Sequence, residues 1–99
     1  ELQGCDLTGA DLRGVVLKDA DLRGAKLVGA KLNKADLRGA KLGPLMISEG
    51  RYIRTDLTRA VLKGADLRDC HARRARFLEA ELQGVKFDGA DLAEAELET

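Results

Sequence analysis

A leucine recurs every five residues through this chain. In LRGAKLVGAKLNKADLRGAKL, Leu22 to Leu42, leucines stand at 22, 27, 32, 37 and 42, and Ala25, Ala30, Ala35 and Ala40 each precede the next leucine by two. The frame runs without a slip from Leu2 to Leu97. Of its twenty positions fifteen are leucine and the others are Ile47, Tyr52, Ala72, Phe77 and Phe87, so every aromatic residue falls on it. Few backbones accept this period. In an α-helix a step of five advances by ~500°, so the leucines would spiral around every side and form no stripe. In a flat strand an odd step sends successive leucines to opposite faces.

Glycine supplies the missing piece. Nine of the eleven glycines (Gly4, Gly9, Gly14, Gly24, Gly29, Gly39, Gly64, Gly84, Gly89) sit two places after the central residue, where the second residue of a type II turn needs a positive φ. Blocks with Lys34, Asp69 or Arg74 at that place are expected to use another turn type. Within Ala35-Asp36-Leu37-Arg38-Gly39 the alanine and leucine share the inward side and the aspartate faces out. Each block is then one side and one corner; four sides close a coil of twenty residues, and 99 residues make about five coils.

Charge supports the twenty-residue coil independently. Outward residues twenty apart become ladder neighbours, and Asp6/Lys26, Asp11/Lys31, Asp21/Lys41, Asp56/Arg76, Asp66/Lys86 and Arg76/Glu96 are all opposite in sign. Tandem Ala-Asp/Asn-Leu-x-x blocks, as in Ala10-Asp11-Leu12-Arg13-Gly14 and Ala65-Asp66-Leu67-Arg68-Asp69, resemble the pentapeptide-repeat family over nearly the whole chain. The resemblance implies an all-β, right-handed quadrilateral β-helix. Residues 1–99 are read as one such domain, consistent with a piece of a longer chain because both ends lie within the repeat.

The motif lapses between Leu42 and Leu57, in GPLMISEGRYIRTD, where Leu45 and Gly50 occupy inward places that want a small residue. Either the column continues through Ile47 and Tyr52, or about ten residues near 44–54 leave it as a loop, with LMI and RYI flanking Ser48-Glu49-Gly50 as a hairpin. The continuous column would stack Lys31 on Arg51 and Asp36 on Asp56. Excision pairs Lys26 with Asp56 but sets Asp36 on Asp66. The loop is the favoured reading.

No catalytic constellation emerges. Cys5 and Cys70 take the small inward place as compact apolar fillers, too far apart along the column for a disulfide. Alternation sends Cys70 inward and His71, the single histidine, outward beside Asp91, so the pair shares no site and no zinc spacing exists. The glycines are turn punctuation without the Lys-Ser/Thr of a phosphate loop. A column filled by leucine and alanine offers no pocket for a substrate, so neither an enzyme nor a cofactor is expected.

The expected role is a structural or protein-interaction scaffold. Its contact surface is assigned to the loop residues Leu45, Met46, Ile47, Arg51, Tyr52, Ile53 and Arg54, together with Arg73 and Arg74. The partner protein is unidentified, and the coil ends invite end-to-end pairing or a flanking domain. The family resemblance implies a first alternative, a DNA mimic that binds gyrase or topoisomerase IV. Seventeen basic residues balance seventeen acidic ones, and Lys26, Lys31, Lys41 and Lys86 stand where a mimic wants acid. A second alternative is nucleic-acid binding by a basic strip, which a continuous column would assemble from Lys31, Lys34, Arg51, Arg54, His71, Arg73 and Arg74; no stacking aromatics accompany it. No stretch approaches the ~18 apolar residues of a membrane span and the first residues do not read as a secretory signal, so a cytoplasmic setting without membrane contact is expected.

Overall fold

The computed structural model describes residues 2–97. Its backbone forms four ladders of parallel bridges. One ladder runs Asp6, Lys26, Asp56, Arg76, Glu96; the others run Asp11, Lys31, Val61, Glu81, then Val16, Asp36, Asp66, Lys86, and then Asp21, Lys41, His71, Asp91. The step is twenty residues everywhere except once on each ladder, where it is thirty. Hydrogen bonds follow the same rule. Leu7 N–H donates to the Lys26 carbonyl at 2.7 Å, Leu27 N–H to that of Asp56 at 2.7 Å, and Leu57 N–H to that of Arg76 at 2.6 Å.

The extra ten residues are the loop of the sequence reading, and they leave the column as a hairpin. Strand β1, Leu45–Ser48, pairs antiparallel with β2, Arg51–Ile53. Leu45 lies opposite Ile53, Met46 opposite Tyr52 and Ser48 opposite Arg51, with a bulge between Met46 and Ser48. Excision sets Lys31 beside Val61 rather than Arg51, which dissolves the basic strip.

The inside/outside pattern follows the repeat. Leu22, Leu27, Leu32, Leu37 and Leu42 are buried, as are Ala25, Ala30, Ala35 and Ala40, and one core cluster continues through Leu57, Leu62 and Leu67 to Ala80. Of the exceptions in the central frame, Ala72 and Phe77 lie on successive sides and are both buried, Phe87 is partly buried, and Ile47 and Tyr52 leave with the hairpin. Cys5 and Cys70 are free thiols; burial raises that of Cys70 to about 11.

One expectation about the turns fails. Lys34, Asp69 and Arg74 keep the turn used by the glycines, with φ of 58°, 61° and 59°. Left-handed backbone costs a non-glycine residue roughly 1–2 kcal/mol. The inter-coil ladder offsets this, because the same N–H must reach the next coil: Lys34 donates to Lys63, Asp69 to Asp88 and Arg74 to Ala93, just as Gly29 donates to Thr58, all at 2.9 Å.

Asp36 stands next to Asp66 on its ladder, and local pairing relieves the repulsion. Arg38 Nε and Nη2 grip Asp36 at 2.9 and 2.8 Å, and Arg68 grips Asp66 at 2.9 and 2.6 Å. The same Asp-Leu-Arg fork recurs at Asp11 with Arg13 and at Asp21 with Arg23.

Candidate functional site

The hairpin is where the chain departs from its own repeat. It emerges at the corner that carries Gly4, Gly24, Arg74 and Glu94 in the other coils. Pro44 ends the last regular block before it; proline has no N–H to give a ladder, so the side stops there. Thr55 opens the first block after it, in the alanine place, fully buried. Its hydroxyl accepts from Gly24 N–H at 2.9 Å and lies 2.9 Å from the Gly43 carbonyl, to which it donates. In the preceding coil the equivalent bond is direct, from Gly4 N–H to the Arg23 carbonyl at 3.0 Å. The hydroxyl therefore fills the gap that the departing strand opens.

Side chains hold the hairpin against the column on both flanks. Leu45 packs over Gly24, so closely that a methyl group there would lie 2.8 Å from Leu45 Cβ. On the other flank Arg54 Nε donates to the Arg74 carbonyl at 2.7 Å, and its Nη1 pairs with Glu96 at 3.2 Å. Arg74 Nη1 donates to the Tyr52 hydroxyl at 2.8 Å, with its guanidinium 5.3 Å from the ring centroid. Arg74 Nε donates to Glu94 at 2.6 Å.

Of the residues singled out from sequence, the structure brings Tyr52, Arg54 and Arg74 together. Arg73 stands apart from them and pairs with Asp91 at 2.9 Å. Met46 is 59% exposed, Ile47 52%, Ile53 40% and Tyr52 39%; Arg51 is exposed near the tip and Leu45 is half-buried. Within the hairpin, contact with the column is made by Leu45 and Tyr52 among the apolar side chains. Sequence reasoning missed Thr55, Glu94 and Glu96. Thr55 carried a signal, a hydroxyl in an inward place where alanine is the rule. The glutamates carried none, since outward acids recur throughout.

Several outward charges elsewhere on the sides are paired. Arg59 approaches Glu79, Lys63 Glu81, and Arg76 both Asp56 and Glu96. Among the described residues no group of His, Cys, Asp or Glu is arranged to hold a metal ion, and no helix is long and apolar enough to cross a membrane.

Comparison with known proteins agrees with this architecture. Pentapeptide repeats, eight copies, match residues 1–42 and 55–97, leaving the hairpin unmatched. Among solved structures the chain is similar to a pentapeptide repeat protein (Rfr23) of the cyanobacterium Cyanothece 51142, with TM-score 0.78 and 24% identity over 92% of this chain and 56% of that one. A pentapeptide repeat protein of Nostoc PCC 7120 gives 0.64 and 29%, over 88% and 64%. HetL of Nostoc sp. strain PCC 7120, involved in heterocyst differentiation regulation, gives 0.52 and 37%, over 92% and 42%. The chain thus spans less than two thirds of each of these three proteins. No curated protein is significantly similar in sequence. Proteins of this kind are right-handed quadrilateral β-helices, and the chain belongs to the pentapeptide-repeat family.

Proposed function

We propose that this chain is a non-enzymatic interaction scaffold: a cytoplasmic column of about five coils that presents the Leu45–Ile53 hairpin to a partner protein. The observation that carries the reading is the contrast between sides and hairpin. The sides present mainly charged residues, with Val16 exposed alone among them, while the hairpin gathers exposed Met46, Ile47 and Ile53 on a two-stranded unit too small to bury them itself. Such a surface gains most from burial against another protein. The coil ends form a second, weaker contact region. The N–H groups of Asp6, Asp11 and Val16 at one end, and the carbonyls of Ala80, Val85 and Ala90 at the other, have no backbone partner among the described residues.

Imitation of DNA toward gyrase or topoisomerase IV is the lesser reading, because Lys26, Lys31, Lys41 and Lys86 alternate with acids along the ladders. Nucleic-acid binding ranks below it, since the basic strip it required is dissolved. A photocrosslinking residue at Met46, compared with one at Lys34 on the diagonally opposite corner, tests the scaffold reading in cells of the source organism. A discrete protein adduct at position 46 and none at 34 is expected. Equal labelling at both positions contradicts it, and potent inhibition of gyrase supercoiling by the purified chain would favour the mimic.

A further inference from the structure

We infer that the pose of the hairpin is set by the short segment 94–96, with Glu94 at a corner and Glu96 as the ladder residue that follows it, so that a change in that segment is transmitted to the hairpin. No backbone hydrogen bond joins residues 45–53 to the column among the described residues. The hairpin is therefore aimed by side chains. On one flank that is Leu45 over Gly24. On the other, two routes converge on one short segment: Arg54 reaches the ladder residue Glu96 directly, and Tyr52 reaches the corner residue Glu94 through Arg74.

The span is long for direct contact. Arg54 and Glu96 are 42 residues apart in sequence, and on the column they are separated by the level of Arg74, whose carbonyl Arg54 also holds. Arg76 Nε lies 3.3 Å from the second oxygen of Glu96, a charge contact without hydrogen-bond geometry that adds attraction to the same carboxylate. The clasp is part-exposed and ionic, so each contact is modest and weakens with salt. The hairpin, with no ladder bonds of its own to the column, has a docked and an undocked arrangement, and the clasp biases the balance between them. Coupling of this kind is reciprocal. A partner that seizes the hairpin steadies the segment 94–96, and a protein that engages that segment frees or fixes the hairpin.

The test uses the full chain with Glu94→Gln and Glu96→Gln combined, and Glu81→Gln, which breaks only the Lys63 pair, as control. Tyr52 is the one tyrosine and there is no tryptophan, so fluorescence anisotropy reports the hairpin alone. In the double variant, exchange of the amides that join β1 to β2 should speed by about three- to tenfold, as expected for losing two or three part-exposed ionic contacts. Tyr52 anisotropy should fall, while exchange at Leu27 and Leu37 stays as in the parent. Arg54→Gln should in turn speed exchange at the Glu96 amide, which donates to Ala75. A salt titration of the unmodified chain repeats the comparison without substitution: the hairpin amides should lose protection ahead of those of Leu27 and Leu37. Unchanged hairpin exchange in the double variant, an equal rise in Glu81→Gln, or no reciprocal effect at Glu96 overturns the inference. Because none of these readouts involves a partner, the result stands apart from whether the scaffold reading holds.

Discussion

The Thr55 hydroxyl stands 2.9 Å from the Gly24 backbone nitrogen and bridges it to the Gly43 carbonyl. That link lets a ten-residue hairpin interrupt the column without leaving a buried N–H unpaired. Thr55→Val keeps the shape and removes the hydroxyl, stranding both backbone groups. A loss of about 1–3 kcal/mol is expected in denaturant unfolding. A loss no larger than that of Thr58→Val, a part-exposed site, would show that the bridge is dispensable.

Gly24 and Gly14 share a positive φ, 73° and 68°, but only Gly24 has Leu45 against it. Alanine at 14 should cost the left-handed backbone penalty of ~1–2 kcal/mol. Alanine at 24 should cost that and also displace Leu45, so its hairpin amides should exchange faster. Equal effects at the two sites would mean that Leu45 does not seat the hairpin.

Leu32 is buried and Lys31 beside it is exposed. Leu32→Asp places an unpaired charge in the core and should abolish cooperative folding or cost several kcal/mol, ~3 or more. Lys31→Asp should cost far less, though it sets an acid beside Asp11. Indistinguishable melting temperatures would reverse the assignment of faces.

Acid should weaken the fold late. Hydrogen bonds from Arg13 and Arg38 hold the carboxyls of Asp11 and Asp36 at about 2 rather than 3.8, and those from Arg23, joined by Gln3, hold that of Asp21 lower still. Because these folded values lie below the unfolded ones, their stabilisation is present above pH ~4 and is lost as pH falls toward 2. Melting temperature should therefore drop between pH ~4 and ~2. Arg38→Gln should move part of that loss to higher pH. A main loss above pH 5 would point to groups other than these aspartates.

Much of this was legible because a five-residue period with inward leucine admits so few backbones. The exit of the hairpin was legible from Leu45 and Gly50, which break the small-inward rule. The turns at Lys34, Asp69 and Arg74 were not, because local preference argues against positive φ and only the inter-coil ladder, a long-range constraint, enforces it. The arginine forks were written in Asp-Leu-Arg at 11–13, 21–23, 36–38 and 66–68, yet a comparison of residues twenty apart looks past residues two apart. Glu96 meets Arg54 across 42 positions, a distance at which one acid among seventeen carries no mark.

Deleting Pro44 to Ile53, so that Gly43 joins Arg54 and Arg54 takes the corner place that Arg74 holds in the next coil, tests the central claim most directly. Ten residues are two whole blocks, so the frame closes. A shorter connection between the same ladders also asks little of chain entropy. The account predicts a chain that still unfolds cooperatively, within about 8 °C of the parent, the shift that ~1 kcal/mol produces in a chain of this size. Lys26 should remain the ladder neighbour of Asp56 by nuclear Overhauser contacts. A deletion variant that is unfolded, or that pairs Lys26 with any other residue, would contradict a continuous column carrying a separable hairpin.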